Sequence, residues 1–514
     1  MERSFRPRYH ASVPSGWSND PNGTIWYQGK AHLFFQHYPC KPQWGTMHWA
    51  HLVSEDLIRW EALPVALYPD QPYEVICGCC SGSAIEKDGK LWLLYTAAQP
   101  TLQRQCLAVS TDGGLHFQKD ADNPILTADM LSDEVSPLDF RDPRLFERDG
   151  TYYFVAGIRL LSEADKEKAA AAAGRPSAPE ELRSPSAGTL SGAETENPGF
   201  GNLILCRSRD LRHWEYVGHL LEPQPEFSPE YYALHGVYEC PDYFALDGYE
   251  VLLSSPQNLP QMGDRYQNLH SGLYMLGRLD FETGRFRVDT IGEIDCGFDF
   301  YAAQTLKLPD GRIVMIAWKE MWDRSYPTQA EGWAGTYTLP RELRIRDGKL
   351  IQRPIRELET YRANPVIRDL LQLDGSSAAV EGISGAVLEL DCRLCLGTAE
   401  RAGIRLFCGT GHETVLYADR AAKQLVLDRS RSGLPLKGRE KDVYVRRCPL
   451  EKTDEVELEL FLDVSSVEVF VNGGRSVLTA NVYPDPEDLG VVFFSEGGSA
   501  EFTEIRKYEI AAPN

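Results

Sequence analysis

NDPNGTIWYQGKAHLFF, residues 19–35, reads as a polar start, a short apolar strand, a turn at Gly29 and an aromatic-rich second strand. The same plan returns as CSGSAIEKDGKLWLLYT (80–96), RDPRLFERDGTYYFVAG (141–157), ECPDYFALDGYEVLLSS (239–255) and YAAQTLKLPDGRIVMIAW (301–318). Self-similarity on this scale decides an architecture before any local reading does. The turn glycines are Gly29, Gly89, Gly150, Gly248 and Gly311, and the Asp-Gly pairs among them are strong hairpin signals. Their spacing is nearly even except between Gly150 and Gly248, where the chain is longer by a whole extra segment. That segment is visible: Leu161 to Gly199 holds KEKAAAAAG and then a stretch rich in Pro, Ser, Gly and Glu. An insertion between repeats is expected there, a short helix followed by a mobile loop.

Three repeats carry a later hairpin with its own signature. HWAHLVSEDLIRW (48–60), CLAVSTDGGLHF (106–117) and LILCRSRDLRHW (203–214) each run from a strand through Ser-x-Asp to an aromatic residue. About four strands in each of five units is what a five-bladed β-propeller requires. The innermost strands of a propeller pass beside one channel, so Asp20, Ser81, Asp142, Glu239 and Tyr301, which occupy the same point of the five repeats, are expected to converge. Three of these are carboxylic acids, far apart in the chain. Residues 1–350 are read as the propeller. Residues 351–365, with REL-ET and Pro365, read as a linker containing a helical turn. From 366 to 514 the alternating strands AVLELDCRL, VELELFLDVSSVEVFVN and VVFFSEGG predict a C-terminal β-sandwich, with no catalytic cluster of its own. The fold class expected is therefore all-β.

Composition narrows the partners. A net charge of −22 repels phosphate backbones and anionic lipid, so neither nucleic acid nor a membrane is expected. The start MERSFRPRYH lacks the apolar run of a signal peptide, and no stretch of about 18 apolar residues is available to span a bilayer. A cytoplasmic enzyme is the simplest reading. Twelve scattered cysteines fit reduced thiols better than disulfides, and neither Cys77, Cys79 and Cys80 nor Cys392 and Cys395 has a second half at zinc-site spacing. No metal is expected. The 10 Trp, 24 Tyr and 20 Phe suit sugar stacking and cross-strand filling equally.

Hydrolysing a glycosidic bond calls for one protonated carboxyl to release the alcohol and one carboxylate to attack or to direct water. Asp20 lies in Trp17-Ser18-Asn19-Asp20-Pro21-Asn22-Gly23, where Asn19 and Asn22 offer amide hydrogen bonds that would keep it ionised, which suits a nucleophile. Glu239, in Val237-Tyr238-Glu239-Cys240-Pro241-Asp242, has aromatic and weakly polar neighbours that favour the protonated acid, which suits a donor. Asp142 follows Arg141, whose guanidinium should hold it charged and ready to bond sugar hydroxyls. Each motif alone is an ordinary turn or strand end. Their shared place in the repeat lifts the catalytic reading above that one.

In order and spacing, these motifs resemble those of glycoside hydrolase family 32: the invertases, fructan β-fructosidases and sucrose-6-phosphate hydrolases. The similarity covers nearly the whole chain. It extends to Trp44-Gly45, His48-Trp49 through Ser54-x-Asp56-Leu57 to Trp60, Ser81-Gly82-Ser83, Asp299-Phe300-Tyr301-Ala302, Gly332-Trp333-Ala334-Gly335, Leu339-Pro340-Arg341-Glu342 and Ser466-Val467-Glu468-Val469-Phe470. The resemblance implies a retaining β-fructofuranosidase that releases terminal non-reducing fructose. Asp20 would form a fructosyl-enzyme through C2, Glu239 would protonate the leaving oxygen and then activate water, and Asp142, helped by Arg141, would stabilise the transition state. Retention asks for a gap of about 5 to 5.5 Å between nucleophile and donor. The resemblance further implies Asn19, Gln36, Trp44, Ser81 and Trp318 as walls of the fructose pocket, a small fructoside as partner and no cofactor. Two positions depart from the family: Ser18 stands where an apolar residue such as Met is usual, and Cys80 stands where an aromatic precedes Ser-Gly. A fructosyltransferase with the same acids, a catalytically silent carbohydrate-binding propeller, the choice among sucrose, its 6-phosphate and fructo-oligosaccharides, and self-association into a homo-oligomer all stay open at this point.

Overall fold

The computed structural model describes residues 4–163, 165–166, 199–222, 236–438, 443–452 and 454–511. Most of the insertion expected over 161–199 lies outside them. The described chain is nearly all β, its few helical segments being single turns such as Pro72–Glu74 and Arg356–Tyr361. None of these helices is long and apolar enough to cross a membrane.

The chain up to Pro354 forms five antiparallel sheets, one for each repeat. Their first strands are Gly16–Tyr27, Gly78–Lys87, Val135–Arg148, Tyr238–Leu246 and Tyr301–Lys307, and each turns back at its repeat's Gly into the second strand. The Asp149-Gly150 turn is representative: both residues have positive φ, 51° and 72°, the type I′ geometry that matches strand twist. Each first strand packs against those of the sheets before and after it, and the fifth packs against the first. The first sheet also receives a late strand, Trp333–Ala334, which runs parallel to it with Gly16 opposite Trp333. The Ser-x-Asp signature makes one turn at Asp56 and Asp210 and a longer version of it, through Gly113 and Gly114, at Asp112. Asp56 and Asp210 each accept two backbone N–H bonds from the residues that follow and Asp112 accepts one, from His116, with Ser54, Ser110 and Ser208 hydrogen-bonded to the three aspartates.

The fifth sheet ends at Pro354, and the single turn Arg356–Tyr361 leads into Arg362–Asp374, the edge strand of one of two six-stranded sheets. Alternate residues of both sheets, among them Leu390, Leu460 and Phe502 from one and Ile404, Leu416 and Phe493 from the other, share a single apolar core. Another core unites the amino-terminal segment (Phe5, Tyr9, Val13) and the first and fifth sheets with Phe461, Phe470 and Tyr483 from the C-terminal half. Buried ion pairs cross the same boundary. His10 bonds Asp463 at 2.8 Å and Glu468 at 3.0 Å, Arg341 joins Glu468 at 2.7 Å to Asp295 at 3.0 Å, and Asp299 lies between Arg324 and Arg429, 2.6 Å from each. Burial raises the carboxyl of Glu468, but Arg341 and His10 outweigh it and bring it down to about 2.

Candidate active site

All five first strands break register with their second strands at the same point: between Ser18 and Pro21, Cys80 and Gly82, Arg141 and Arg144, Glu239 and Asp242, and Tyr301 and Gln304. A bulge re-aims the side chains around it. At three of the five the backbone enters the left-handed region at a residue with a side chain, Asp142 (φ 61°), Cys240 (φ 45°) and Ala302 (φ 54°). Such conformations each cost on the order of 1–3 kcal/mol and cluster where a site needs them. The bulges bring acids from three separate sheets, Asp20, Asp142 and Glu239, to one pocket, with the left-handed turn falling on Asp142 itself and just after Glu239.

The pocket is small and is lined by Asp20, Asp142 and Glu239, by Asn19, Gln36, Trp44 and Arg141, and by Cys80, Gln103 and Trp322. The three acids are 7%, 6% and 4% exposed, so their charges are largely cut off from water. Asp20 Oδ2 accepts from Ser81 Oγ at 2.7 Å and Gln36 Nε2 at 3.0 Å, with the Cys240 thiol at 3.6 Å, whereas Oδ1 is buried without a well-formed hydrogen bond. Asp142 Oδ2 accepts from the Cys240 backbone N–H at 2.9 Å and lies 3.6 Å from its sulfur, so Cys240 bridges the two aspartates. Glu239 is held at both ends: Oε1 accepts from Arg141 Nε at 3.1 Å, and Oε2 accepts from the Tyr301 hydroxyl at 2.6 Å.

Two electrostatic expectations need correcting. Asp20 is pushed up to about 6 rather than held low, because burial and the nearby Glu239 charge outweigh the bonds from Ser81 and Asn19. Asn22 supports Asp20 only indirectly; its amide lies between Pro21 O (3.2 Å), Ser81 Oγ (3.3 Å) and Gln36 N (3.2 Å) in the orientation that satisfies both of its ends. Asp142 is likewise raised, by burial first, with Arg141 opposing and the charges of Glu239 and Asp20 adding to the rise. The Arg141 side chain turns away from its sequence neighbour to pair with Glu239 and, at 2.6 Å, with Asp139.

The residues expected at the site fall into two layers. Asn19, Gln36, Trp44 and Arg141 line the pocket, while Ser81 stands behind Asp20 as its hydrogen-bond donor. Trp318 is fully buried in the second layer, its ring 5.0 Å from that of Trp322 and 5.7 Å from that of Trp17; the indole that reaches the pocket is Trp322. Sequence reasoning does not reach Trp322 or Gln103. The only sequence signal for Trp322 is its closeness to Trp318, one helical turn's worth of chain before it, and Gln103 has none.

The family models bear on this geometry. The model described as "Glycosyl hydrolases family 32 N-terminal domain" matches residues 10–169 and 189–354, and the one described as "Glycosyl hydrolases family 32 C terminal" matches 357–509. A sucrose-6-phosphate hydrolase of Zymomonas mobilis is 35% identical over 529 residues, covering 100% of this chain and 94% of its own. Among solved structures, the sucrose-6-phosphate hydrolase of Lactobacillus gasseri superposes with a TM-score of 0.80 at 28% identity, covering 99% and 93% of the two chains. A mutant β-fructofuranosidase of Bombyx mori in complex with sucrose gives a TM-score of 0.75 at 30% identity, covering 99% and 95%.

Proposed function

We infer the reaction from one premise: this chain belongs to glycosyl hydrolase family 32. It is a glycosidase acting on fructosides. The five sheets are read as the blades of a propeller spanning about residues 1–350, and the two six-stranded sheets as a sandwich from about 366. Asp20 attacks C2 of a terminal β-fructofuranosyl unit while Glu239 gives its proton to the departing oxygen, leaving a fructosyl ester on Asp20. Glu239, now ionised, takes a proton from water, which attacks C2 and frees Asp20, so the configuration is retained. Asp142 faces the fructose hydroxyls and steadies the positive charge that develops in each step.

The observation that carries this reading is the unequal treatment of the two acids' oxygens. Asp20 is tied down through Oδ2 and keeps Oδ1 without a well-formed bond, as a nucleophile needs. Glu239 is tied at both oxygens, by a guanidinium and by a phenol, as suits a group whose task is to hold and return a proton. With Asp20 at about 6 it is mostly ionised at neutral pH. A small pocket, an acidic chain and twelve free cysteines support a cytoplasmic enzyme for sucrose, sucrose-6-phosphate or short fructo-oligosaccharides. The test is release of free fructose and its co-product from sucrose, sucrose-6-phosphate, inulin and levan side by side. Fructose from the small substrates, abolished in Asp20→Ala and Glu239→Ala, is expected. Glucose without matching fructose at high sucrose would make the chain a transferase, and no release from any of the four would overturn the reading.

A further inference from the structure

We propose that Tyr301 is a positioning residue that holds Glu239 in both of its protonation states by turning its own hydroxyl proton between two acceptors. The inference rests on the reading of Glu239 as donor and then base, and it adds how one carboxyl stays in place while its charge changes.

The Tyr301 oxygen lies 2.6 Å from Glu239 Oε2 and 2.9 Å from the backbone carbonyl oxygen of Ser255. A phenol has one proton, so it can donate to only one of these at a time. The Ser255 carbonyl can only accept. The other carboxyl oxygen, Oε1, faces Arg141 Nε and Nη2, which can only donate, so a proton on Glu239 belongs on Oε2, the oxygen beside Tyr301. With Glu239 protonated, Tyr301 donates to Ser255, and its oxygen is free to accept from Oε2–H until a leaving oxygen takes that proton. Once the proton has gone to the leaving group, Oε2 is an anion; the Tyr301 hydroxyl turns about its C–O bond and donates to it. In this step the only proton transferred is the one Glu239 gives up, the later one from water returns to Glu239, and Tyr301 stays neutral throughout.

The surroundings fit a rotor that keeps its proton. Burial first, and then the Glu239 charge, push the Tyr301 phenol well above its ordinary range, so it does not ionise in place of the carboxyl. The ring is 1% exposed and packs against His270, with centroids 5.5 Å apart. Its acceptors are fixed by the sheets: Glu239 pairs with Ser255 across two strands, Ser254 Oγ donates to the Glu239 carbonyl at 3.0 Å, and the Ala302 N–H donates to Ser255 Oγ at 3.0 Å. Arg141, Asp142, Asp20, Cys240 and His270 are titratable or charged groups that stand around Glu239 and Tyr301, and Tyr301→Phe replaces none of them.

Tyr301→Phe should lower kcat on sucrose by about tenfold to hundredfold, part of what general acid–base catalysis contributes. The high-pH limb of kcat/KM should move to higher pH, because the ionised carboxylate loses its donor. With p-nitrophenyl β-D-fructofuranoside, whose leaving group departs without a proton, kcat/KM should stay within about twofold of the unaltered enzyme. A structural role would lower both substrates alike and leave the limb where it was, and that result overturns the proposal. Glu239→Gln separates the two readings. If it keeps sucrose turnover, the donor assignment itself has failed; if it behaves as a lost donor while Tyr301→Phe has a normal limb and normal substrate ratio, only the Tyr301 proposal has failed. Should Tyr301→Phe not fold, 3-fluorotyrosine placed at 301 alone keeps the hydroxyl but makes it a stronger donor. The limb should then move to lower pH, and an unmoved limb overturns the proposal.

Discussion

Asp20 in the pocket and Asp299 between the two halves are both closed off from water, 7% and 0% exposed, yet their carboxyls sit on opposite sides of the ordinary aspartate range. Burial raises both. At Asp299 it is overcome by two guanidinium groups, Arg429 and Arg324, with a backbone N–H from Asn481 at 2.7 Å, and the charge is favoured. At Asp20 the partners are neutral, a serine hydroxyl, an amide and a thiol, and the charge that acts on it most is another carboxylate. Arg141, the one cation among the described residues lining the pocket, is shared between Glu239 and Asp139. The difference teaches that the fold uses its buried cations to join the halves and leaves the pocket short of positive charge, which is where the proposed mechanism has an oxocarbenium-like centre to stabilise.

The sharpest way to break this contrast is to neutralise one acid in each region. Asp20→Asn should lower turnover by roughly 10⁴-fold or more, the scale on which lost nucleophiles are felt. The same change should raise stability at pH 7 by up to about 3 kcal/mol, since a group lifted from 3.8 to about 6 is held ionised at a cost. Asp299→Asn should instead destabilise by about 3–5 kcal/mol, because it leaves two buried guanidinium groups without their anion. Denaturant melts of the two variants decide this, and a loss of stability in both would end the contrast.

The pH dependence of stability carries opposite signs in the two regions. Asp20, raised in the folded state, contributes a loss of stability as pH climbs from 3.8 to about 6. Glu468, lowered from 4.5 to about 2, contributes stability that is complete above 4.5 and disappears as pH falls toward 2. Asp20→Asn should therefore flatten the upper part of the stability profile and leave the acid collapse intact. The smallest effect expected is from Ser81→Ala, which removes one donor to Asp20 Oδ2: the acid limb of kcat/KM, near pH 6, should move up by about 1 pH unit.

Much of the site is legible in the sequence because repetition encodes it. The common position of Asp20, Ser81, Asp142, Glu239 and Tyr301 in five copies is enough to bring them together without knowing any distance. The ionisation of the pocket is not legible, because neighbours along a bulged strand are not neighbours in space. Arg141 precedes Asp142 but reaches Glu239, 98 residues on. Trp318 lies one layer further back than its motif implies for a related reason: at the end of Ile313–Trp318 it faces inward against Trp17, and the chain beyond it carries Trp322 to the pocket. His10, Arg341 and Glu468 give no sign of their union in the sequence. Leu339-Pro340-Arg341-Glu342 and Ser466-Val467-Glu468-Val469-Phe470 are recognisable as motifs, but what they do is join each other across the length of the C-terminal half, with His10 bonded to the same glutamate from the opposite end of the chain.

That last span sets a timetable on the ribosome. The strand that bears Asp20 is made before the first strands of the other four sheets, yet its parallel neighbour Trp333–Ala334 arrives only once all five first strands have been made, and the anchors of His10, Asp463 and Glu468, later still. At roughly 5–20 residues per second, the segment with His10 and Asp20 waits on the order of tens of seconds with an open sheet edge and an imidazole that has only water for a partner. Chains released between Glu239 and Asp463, by a premature stop or a stalled ribosome, would hold all three acids and still lack the clasp that fastens the five sheets to the C-terminal half. Such fragments are natural clients for chaperones and proteases.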